Sequence, residues 1–311
     1  MKFSFVLPAW KGKYLKEAIA SILSQTCSDF ELIVVDDCSP DPIKDIVDSF
    51  HDPRVSYHRN ERNIGGTDLV AQWMRCLSYA HADYVILATD DDLYEPGFLA
   101  SMEPLIAKYP QVHLFRSRMM TIGADGHIQF LDDCFKEFLT TDEFVYHLFH
   151  GMIRGIPHYV FHRKVLLEKG GFVNFPLAWG SDDATAILMA DHGVVNNQDN
   201  LVRFRWSDVN ISSDSKSMPW KIEARLQYHV WLRRHLRPIP TDTEYNRFLH
   251  RNIDDYWHQV VKIDLITFLR KAFWRDKAAC LRLICASPEL SRHDKLSIIY
   301  HAFFYFRISR W

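Results

Sequence analysis

The 311-residue sequence has no Gly-x-Gly-x-x-Gly dinucleotide loop, no Gly-x₄-Gly-Lys-Ser/Thr phosphate loop and no Gly-x-Ser-x-Gly nucleophile elbow. These absences count against dehydrogenases, P-loop kinases and α/β-hydrolases. There is no His-Glu-x-x-His, and the one His-x-x-x-His match is His158 and His162. The residues between them, Tyr-Val-Phe, favour a strand, where positions four apart lie roughly 13 Å from each other. That is too far for one metal ion. The six cysteines (Cys27, Cys38, Cys76, Cys134, Cys280, Cys285) form no Cys-x-x-Cys pair, so they read as free thiols of a cytoplasmic protein. No run of 18 apolar residues occurs, so no membrane span is expected. The opening MKFSFVLPAW is too weakly apolar before Pro8 for a signal peptide and reads as a first strand. No internal repeat is found. With 48% hydrophobic and 24% charged residues, the composition is globular and excludes a disordered or collagenous chain.

The net charge of −2 carries no whole-chain signature of nucleic-acid binding. Its distribution is uneven. Residues 221–311 hold 17 of the 37 Lys+Arg and 9 of the 39 Asp+Glu, whereas residues 1–220 hold 20 and 30. An acidic front and a basic back predict two parts with different tasks.

Strand and helix patterns alternate from residue 3 to about 116. Strands are expected at Phe3–Leu7, Leu32–Val35, Val55–His58, Tyr84–Leu87 and Val112–Arg116. Helices are expected at Tyr14–Ser24, Ile43–Phe50, Thr67–Ala80 (with Thr67 as N-cap) and from Pro96 to about Lys108. The alternation predicts a mostly parallel, doubly wound sheet, in which ligands sit beyond the carboxyl ends of the strands. Pro8–Lys11, Asp36–Ser39 and Asp90–Asp92 all fall at such ends and should converge on one crevice. Residues 117–215 are weakly patterned, with a helix expected at Ser181–His192 and Ser181 as its N-cap. From about 219 the chain reads as helical, broken by Pro238 and Pro240, with tail helices at Leu265–Ala286 and Leu296–Ile308.

Asp90-Asp91-Asp92 is the sharpest chemical signal. Adjacent carboxylates after a buried strand repel one another, and a divalent cation relieves that repulsion. Mg²⁺ or Mn²⁺ is typically held by one or two carboxylates together with substrate phosphates. Asp36-Asp37 reads either as a turn and helix cap or as an acceptor for a nucleobase imide. Ser181-Asp182-Asp183 reads either as a helix start favoured by the macrodipole or as a general base at the crevice edge.

The segment FSFVLPAWKGKYLKEAIASILSQTCSDFELIVVDDCSPD (3–41) resembles the opening of family 2 glycosyltransferases. The resemblance continues through Asn63-Ile64-Gly65-Gly66, YVILATDDDLYEP, HRKVLLEKGGF (162–172), Ser181-Asp182-Asp183 and RWSDVNIS (205–212). It covers about residues 3–215. It departs at Trp10-Lys11, Val70 and Thr89, where the family more often has Tyr-Asn, Arg and Asp.

The resemblance implies an α/β GT-A fold: a Rossmann-like, mostly parallel sheet with helices on both faces. The catalytic domain would span 1–218, with a nucleotide-sugar half to about 116 and an acceptor half from 117. A basic, aromatic-rich helical extension would cover 219–311. It implies an inverting transferase that moves a sugar from a nucleotide-sugar, a UDP-sugar first, to a hydroxyl of a glycan or lipid-linked acceptor in surface polysaccharide synthesis. Pro8, Trp10, Asp37, Asn63, Gly65 and Asp90 would bind the donor. Asp90, Asp91 and Asp92 would hold Mg²⁺ or Mn²⁺. Asp183 would be the catalytic base, with Asp182 beside it. The alternatives are a metal-dependent nucleotidyltransferase, which should show a basic glycine-rich loop after the first strand, and a degenerate nucleotide-sugar-binding module. Residues 265–311 carry 9 Lys+Arg against 3 Asp+Glu among large aromatics, which suits peripheral contact with the inner face of the cytoplasmic membrane.

Overall fold

The computed structural model describes residues 1–207, 217–236 and 243–304, without the side chains at 250 and 254–258. Pro238, Pro240, the 208–212 end of the RWSDVNIS stretch and the tail aromatics Phe306 and Trp311 lie outside the described residues. The chain separates into two compact units. The first is Met1–Asn174 with Asp182–Ser207; the second is Phe175–Ser181 with the described C-terminal helices.

The first unit opens with β1 (Phe3–Ala9), α1 (Leu15–Leu23), β2 (Phe30–Asp36), α2 (Ile43–Asp48), β3 (Val55–Arg59), α3 (Leu69–Leu77) and β4 (Tyr84–Leu87). It continues through β5 (Leu93–Tyr94), α4 (Phe98–Lys108), β6 (Leu114–Ile122), β7 (Ile128–Leu131), β8 (Phe138–Leu139) and α5 (Thr141–Phe149). It closes with β9 (Tyr159–His162), α6 (Arg163–Glu168), α7 (Ser181–Met189) and β10 (Val194–Arg205). The strands form one sheet in the order β3-β2-β1-β4-β9-β6-β10-β5, with β7 beside β6 and β8 beside β10. β3, β2, β1 and β4 run parallel, as do β6 and β10. β9 lies antiparallel between β4 and β6.

β4 reads Tyr-Val-Ile-Leu, and all four residues are buried, as a strand covered on both faces requires. α1 turns Leu15, Ala18, Ile19 and Ile22 inward. The Phe5 ring lies 4.9–6.2 Å from the rings of Tyr94, Phe30 and Phe98, which centres the core on β1. Ser4 is the polar exception in β1. It is fully buried, donates to Glu31 Oε1 at 2.6 Å and accepts from the Ala82 N–H at 3.0 Å, so both hydroxyl functions are satisfied.

Three local expectations shift. The cap of α3 is Asp68, whose carboxylate accepts from the Ala71 N–H at 2.9 Å, while Thr67 instead donates to the Ile64 carbonyl. The last strand expected in the alternating half does not stop at Arg116 but runs on as β6 to Ile122 and folds back as β7. Ser181 is the first residue of α7 rather than its cap, and its Oγ accepts from the Phe175 N–H.

The second unit consists of α8 (Met218–His235), α9 (Glu244–Lys271), α10 (Lys277–Ala286) and α11 (Arg292–Phe303). The expected single helix over 265–286 is two helices. α9 ends at Lys271, and a 3₁₀ turn over Trp274–Asp276 precedes α10. Arg225 on α8 pairs with Asp264 on α9 at 2.8 Å. Phe175–Ser181 packs into these helices. Trp179 meets Phe268 edge-on at 5.6 Å, and the Lys221 ammonium stands 4.6 Å from the Trp179 ring centre. Gly180 has φ +86° and faces the Tyr228 ring.

Candidate active site

The carboxyl ends of β1, β2 and β4 meet through the backbone of one turn. Past β1, the N–H groups of Trp10 and Lys11 both donate to Asp90 Oδ2, at 3.0 and 2.7 Å. The Trp10 carbonyl accepts from Ser39 Oγ at 2.5 Å, and the Ala9 carbonyl accepts from the Asp37 N–H. Pro8–Lys11, Asp36–Ser39 and Asp90 are therefore one constellation, as the topology of a parallel sheet predicts. Trp10 is 41% exposed at its edge.

Asp36 and Asp37 are consumed within the protein. Asp36 is fully buried; it pairs with Arg59 and accepts from Tyr57 Oη at 2.6 Å and from the Ser39 N–H at 2.7 Å. Asp37 Oδ1 accepts from Asn60 Nδ2 and the Ile64 N–H, and Oδ2 from Asn63 Nδ2 and the Gly65 N–H, all within 2.7–3.1 Å. The loop containing Asn63 and Gly65 is thus knotted onto the β2 end. A Cβ on Gly66 would stand 2.0 Å from Asn63 Oδ1, so any other residue there would push the Asn63 side chain out of its place.

Asp90–Asp92 differ. Burial pushes the Asp90 carboxyl up from its ordinary value, against the opposing pull of the Lys11 and Trp10 N–H groups. Asp91 is pushed up to about 6 by burial and by the Asp90 charge, with Thr89, Lys11 and Arg205 pulling the other way. The expectation that all three aspartates face a cation needs correction. Asp92 is fully buried, accepts from Thr89 Oγ1 at 2.6 Å through Oδ2 and from the Arg205 N–H at 2.8 Å through Oδ1, and is raised furthest by its burial. Consecutive side chains in a turn point in different directions, and this one staples the β4 end to β10. Asp90 and Asp91 remain. Their all-oxygen donors, raised by burial and mutual repulsion, fit a hard divalent cation.

Asp183 is buried near the start of α7. Its Oδ2 accepts from Arg154 Nη1 at 3.1 Å, and its Oδ1 has no hydrogen-bond partner among the described residues. Asp182 Oδ1 accepts from the Asp183 N–H at 2.9 Å, closing the first turn of the helix. Asp182 is raised to about 7 by burial and the Asp183 charge. Tyr159 is fully buried, its hydroxyl lacks a partner among the described residues, and the field of Asp183 reaches it. Because β9 runs antiparallel to β4, its starting residue Tyr159 lies toward the carboxyl end of β4, where Asp90 stands. His158 is sealed in the turn before β9, and neither ring nitrogen has a hydrogen-bond partner among the described residues. Burial drives its pKa well down, so it is a neutral core imidazole. His162 caps α6.

Residues 4–170 match the model described as Glycosyl transferase family 2, which is more than half of the chain. The chain belongs to that family. WcaA of Escherichia coli K12, assigned to colanic acid biosynthesis, is 33% identical over 110 residues, covering 33% of this chain and 38% of WcaA. The poly(ribitol-phosphate) β-N-acetylglucosaminyltransferase TarS of Staphylococcus aureus Mu50 is 31% identical over 96 residues, covering 30% of this chain and 16% of TarS. The chain thus spans well under half the length of these relatives. Among solved structures, residues 1–349 of S. aureus TarS with UDP-GlcNAc superpose with a TM-score of 0.69 at 18% identity, covering 93% of this chain and 82% of that one. The mannosyltransferase PcManGT of Pyrobaculum calidifontis with GDP-Man and Mn²⁺ gives 0.57 at 18%, covering 97% and 79%. The fold of the family 2 chain is GT-A.

Some residues of this family 2 site leave little trace in the sequence. Arg154 lies in a glycine-flanked stretch, Gly151–Gly155, that has no periodicity. Arg205 reaches the site from the end of β10, donating through Nε to the Asp91 carbonyl and through Nη2 to Glu17. Ahead of Asp183 the backbone is strained in a way the residues Leu177 and Ala178 do not announce: both hold positive φ, +59° and +54°. Such strain clusters at functional segments.

Proposed function

We propose that the chain is an inverting glycosyltransferase that moves a sugar from a nucleotide-sugar, a UDP-sugar first, to a hydroxyl of a glycan or lipid-linked acceptor in surface polysaccharide synthesis. The observation that carries this reading is the pair Asp90–Asp91, raised by burial and held against the β1 end. Asp90 and Asp91 would hold Mg²⁺ or Mn²⁺, which, when bound, supplies positive charge against the diphosphate leaving group. Trp10 offers an aromatic face at the crevice edge, and Pro8 lies beside it in β1. Asp37 holds Asn63 and Gly65 in place, so their part in donor binding is to shape the pocket wall. Asp183 Oδ1 is the free lone pair that takes the proton of the attacking hydroxyl, while Arg154 fixes the orientation of the carboxylate. A single displacement with the base opposite the leaving group inverts the anomeric carbon. The nucleotidyltransferase alternative is disfavoured by the β1 loop, Ala9-Trp10-Lys11, which is not rich in glycine.

A panel of UDP-, GDP- and dTDP-sugars tests this with Mn²⁺ or Mg²⁺ present and absent. Cation-dependent hydrolysis of one class is expected, and hydrolysis of none would falsify the assignment. Release of pyrophosphate from a nucleoside triphosphate and a sugar 1-phosphate would favour the nucleotidyltransferase.

No described helix is long and apolar enough to cross a membrane. We infer peripheral contact through the second unit, on the cytoplasmic side. Phe273 (42% exposed) and Trp274 (83%) sit at the α9–α10 junction, and Tyr300 (54%) and Phe304 (70%) at the end of α11. The two places adjoin: Arg270 Nη2 donates to the His301 carbonyl, and Lys277 stands 5.2 Å from the Phe303 ring centre. Aromatics beside Lys271 and Arg275 suit an anionic headgroup layer. Flotation with anionic liposomes should carry the chain, and Trp274→Ser should reduce the bound fraction.

A further inference from the structure

At the opposite end of the sheet from Asp90, three side chains from two distant stretches meet. His113 immediately precedes β6, and Asp191-His192 form the turn between α7 and β10. The parallel strands β6 and β10 both begin here, so this corner is the amino-terminal edge and is separate from the donor crevice. Ligand atoms of His113, Asp191 and His192 all lie within 4.8 Å of one another, the sole such group of three His, Cys, Asp or Glu among the described residues. His113 Nδ1 is 2.9 Å from Asp191 Oδ1, and the His113 and His192 ring centres are 4.9 Å apart. Lys169 Nζ holds the other oxygen, Asp191 Oδ2, at 2.8 Å and so fixes the carboxylate with Oδ1 turned to the imidazoles. His162 stands behind His113, with ring centres 5.9 Å apart. His113 and Asp191 are about one-fifth exposed and His192 is exposed, leaving an open side for water.

We propose that His113, Asp191 and His192 bind a late first-row divalent cation, Zn²⁺ being the physiological choice. Two imidazoles and one carboxylate oxygen form a donor set for Zn²⁺, Ni²⁺ or Cu²⁺; Mg²⁺ and Mn²⁺ prefer all-oxygen sites such as Asp90–Asp91. Three protein ligands leave a fourth position for solvent. On binding, the cation takes the place of the hydrogen between His113 Nδ1 and Asp191 Oδ1, and the coordinated imidazole keeps its one proton on Nε2. The groups facing His113 are Asp191, Lys169, His162 and His192. The nearby ammonium opposes a second cation, so the affinity expected is micromolar rather than that of a structural zinc site. Binding would tie the start of β6 to the turn that ends α7, the helix whose first turn carries Asp183.

The test is a titration of the full chain with Zn²⁺ alone, and with Co²⁺ read by its visible absorption, at pH 7.5 in the Asp91→Ala background, which silences the oxygen site. One equivalent should bind, with imidazole-type Co²⁺ bands and a raised melting temperature. His192→Ala, an exposed position that leaves the fold intact, should weaken binding by at least about tenfold and abolish the melting shift. Absence of saturable binding overturns the proposal. Unchanged affinity in His192→Ala also overturns it, as does Zn²⁺ binding that appears with wild-type Asp91 and vanishes in Asp91→Ala.

Discussion

Two strand ends of this molecule carry the same short word, a run of aspartates after a buried apolar strand, and the fold uses them in opposite ways. After β2, Asp36 and Asp37 are surrounded by donors: Arg59, Tyr57, Ser39, Asn60, Asn63 and the N–H groups of Ile64 and Gly65. After β4, Asp90 has two backbone N–H groups, and Asp91 is raised to about 6 by burial and by its neighbour. Buried carboxylates that the protein itself satisfies build structure, and those it leaves short of positive charge are the ones for which a ligand is proposed. The difference lies in what the neighbouring loops supply, not in the aspartates.

The contrast makes its largest prediction at Asp91. Asp91→Ala should lower cation-dependent nucleotide-sugar hydrolysis by about 10³-fold with little change in melting temperature, since Thr89, its hydrogen-bond partner, still holds Asp92 and a carboxylate raised by burial is removed. Nucleotide release with and without Mn²⁺ measures it, and undiminished cation-dependent turnover would remove Asp91 from the site. Asp183→Asn should lower sugar transfer by about 10²-fold or more while donor affinity by calorimetry persists, because the amide keeps the shape and loses the basicity. Asp182→Asn should lower transfer less, its carboxylate serving the helix start; the reverse order would exchange the two roles.

Asp37→Ala should show the opposite signature from Asp91→Ala. It leaves the Ile64 and Gly65 N–H groups without their acceptor, while Asn60 keeps Gln72 and Asn63 keeps the Asp37 carbonyl, and should destabilise the first unit by about 2–3 kcal/mol, read by urea unfolding. A stable variant with weakened UDP binding would instead make Asp37 a direct ligand. The smallest effect concerns pH. Asp182 is raised from 3.8 to about 7, so the folded state binds that proton more tightly than the unfolded chain. Its stabilising contribution is full below about pH 4 and is lost as pH rises through 7. Between pH 5 and 8 the wild type should lose a few degrees more of melting temperature than Asp182→Asn, about 1 kcal/mol corresponding to roughly 2–4 °C. Equal slopes would show that Asp182 is already ionised at pH 5.

The doubly wound half was legible because each strand there is a short apolar run punctuated by Pro or Asp, and each helix has one apolar face. The β10 strand was not legible. Its Val-Val-Asn-Asn-Gln-Asp-Asn-Leu run is polar in the middle, and irregularities in its pairing with β6 between Asn196 and Val202 break the two-residue period. The same limit hid the site partners. Arg154 and Asp183 are 29 residues apart, and Arg205 and Asp91 are 114 apart. The sequence also presents Asp90–Asp92 as one cluster, because neighbours in a turn diverge only once the backbone is laid down.

The antiparallel β9 has an evolutionary consequence. In the rest of the sheet's first half, each strand is reached through a helix that packs on a face, so altering a connection disturbs the core. β9 enters from the opposite direction, so its leading segment, Gly151–His158, arrives at the carboxyl end of β4 with Gly151 and Arg154 exposed at its start and Gly155–His158 already buried. Surface segments of this kind absorb insertions and substitutions that packed connections do not. Changes at Gly151–Arg154 would therefore leave the turn after β4 and the knot after β2 in place.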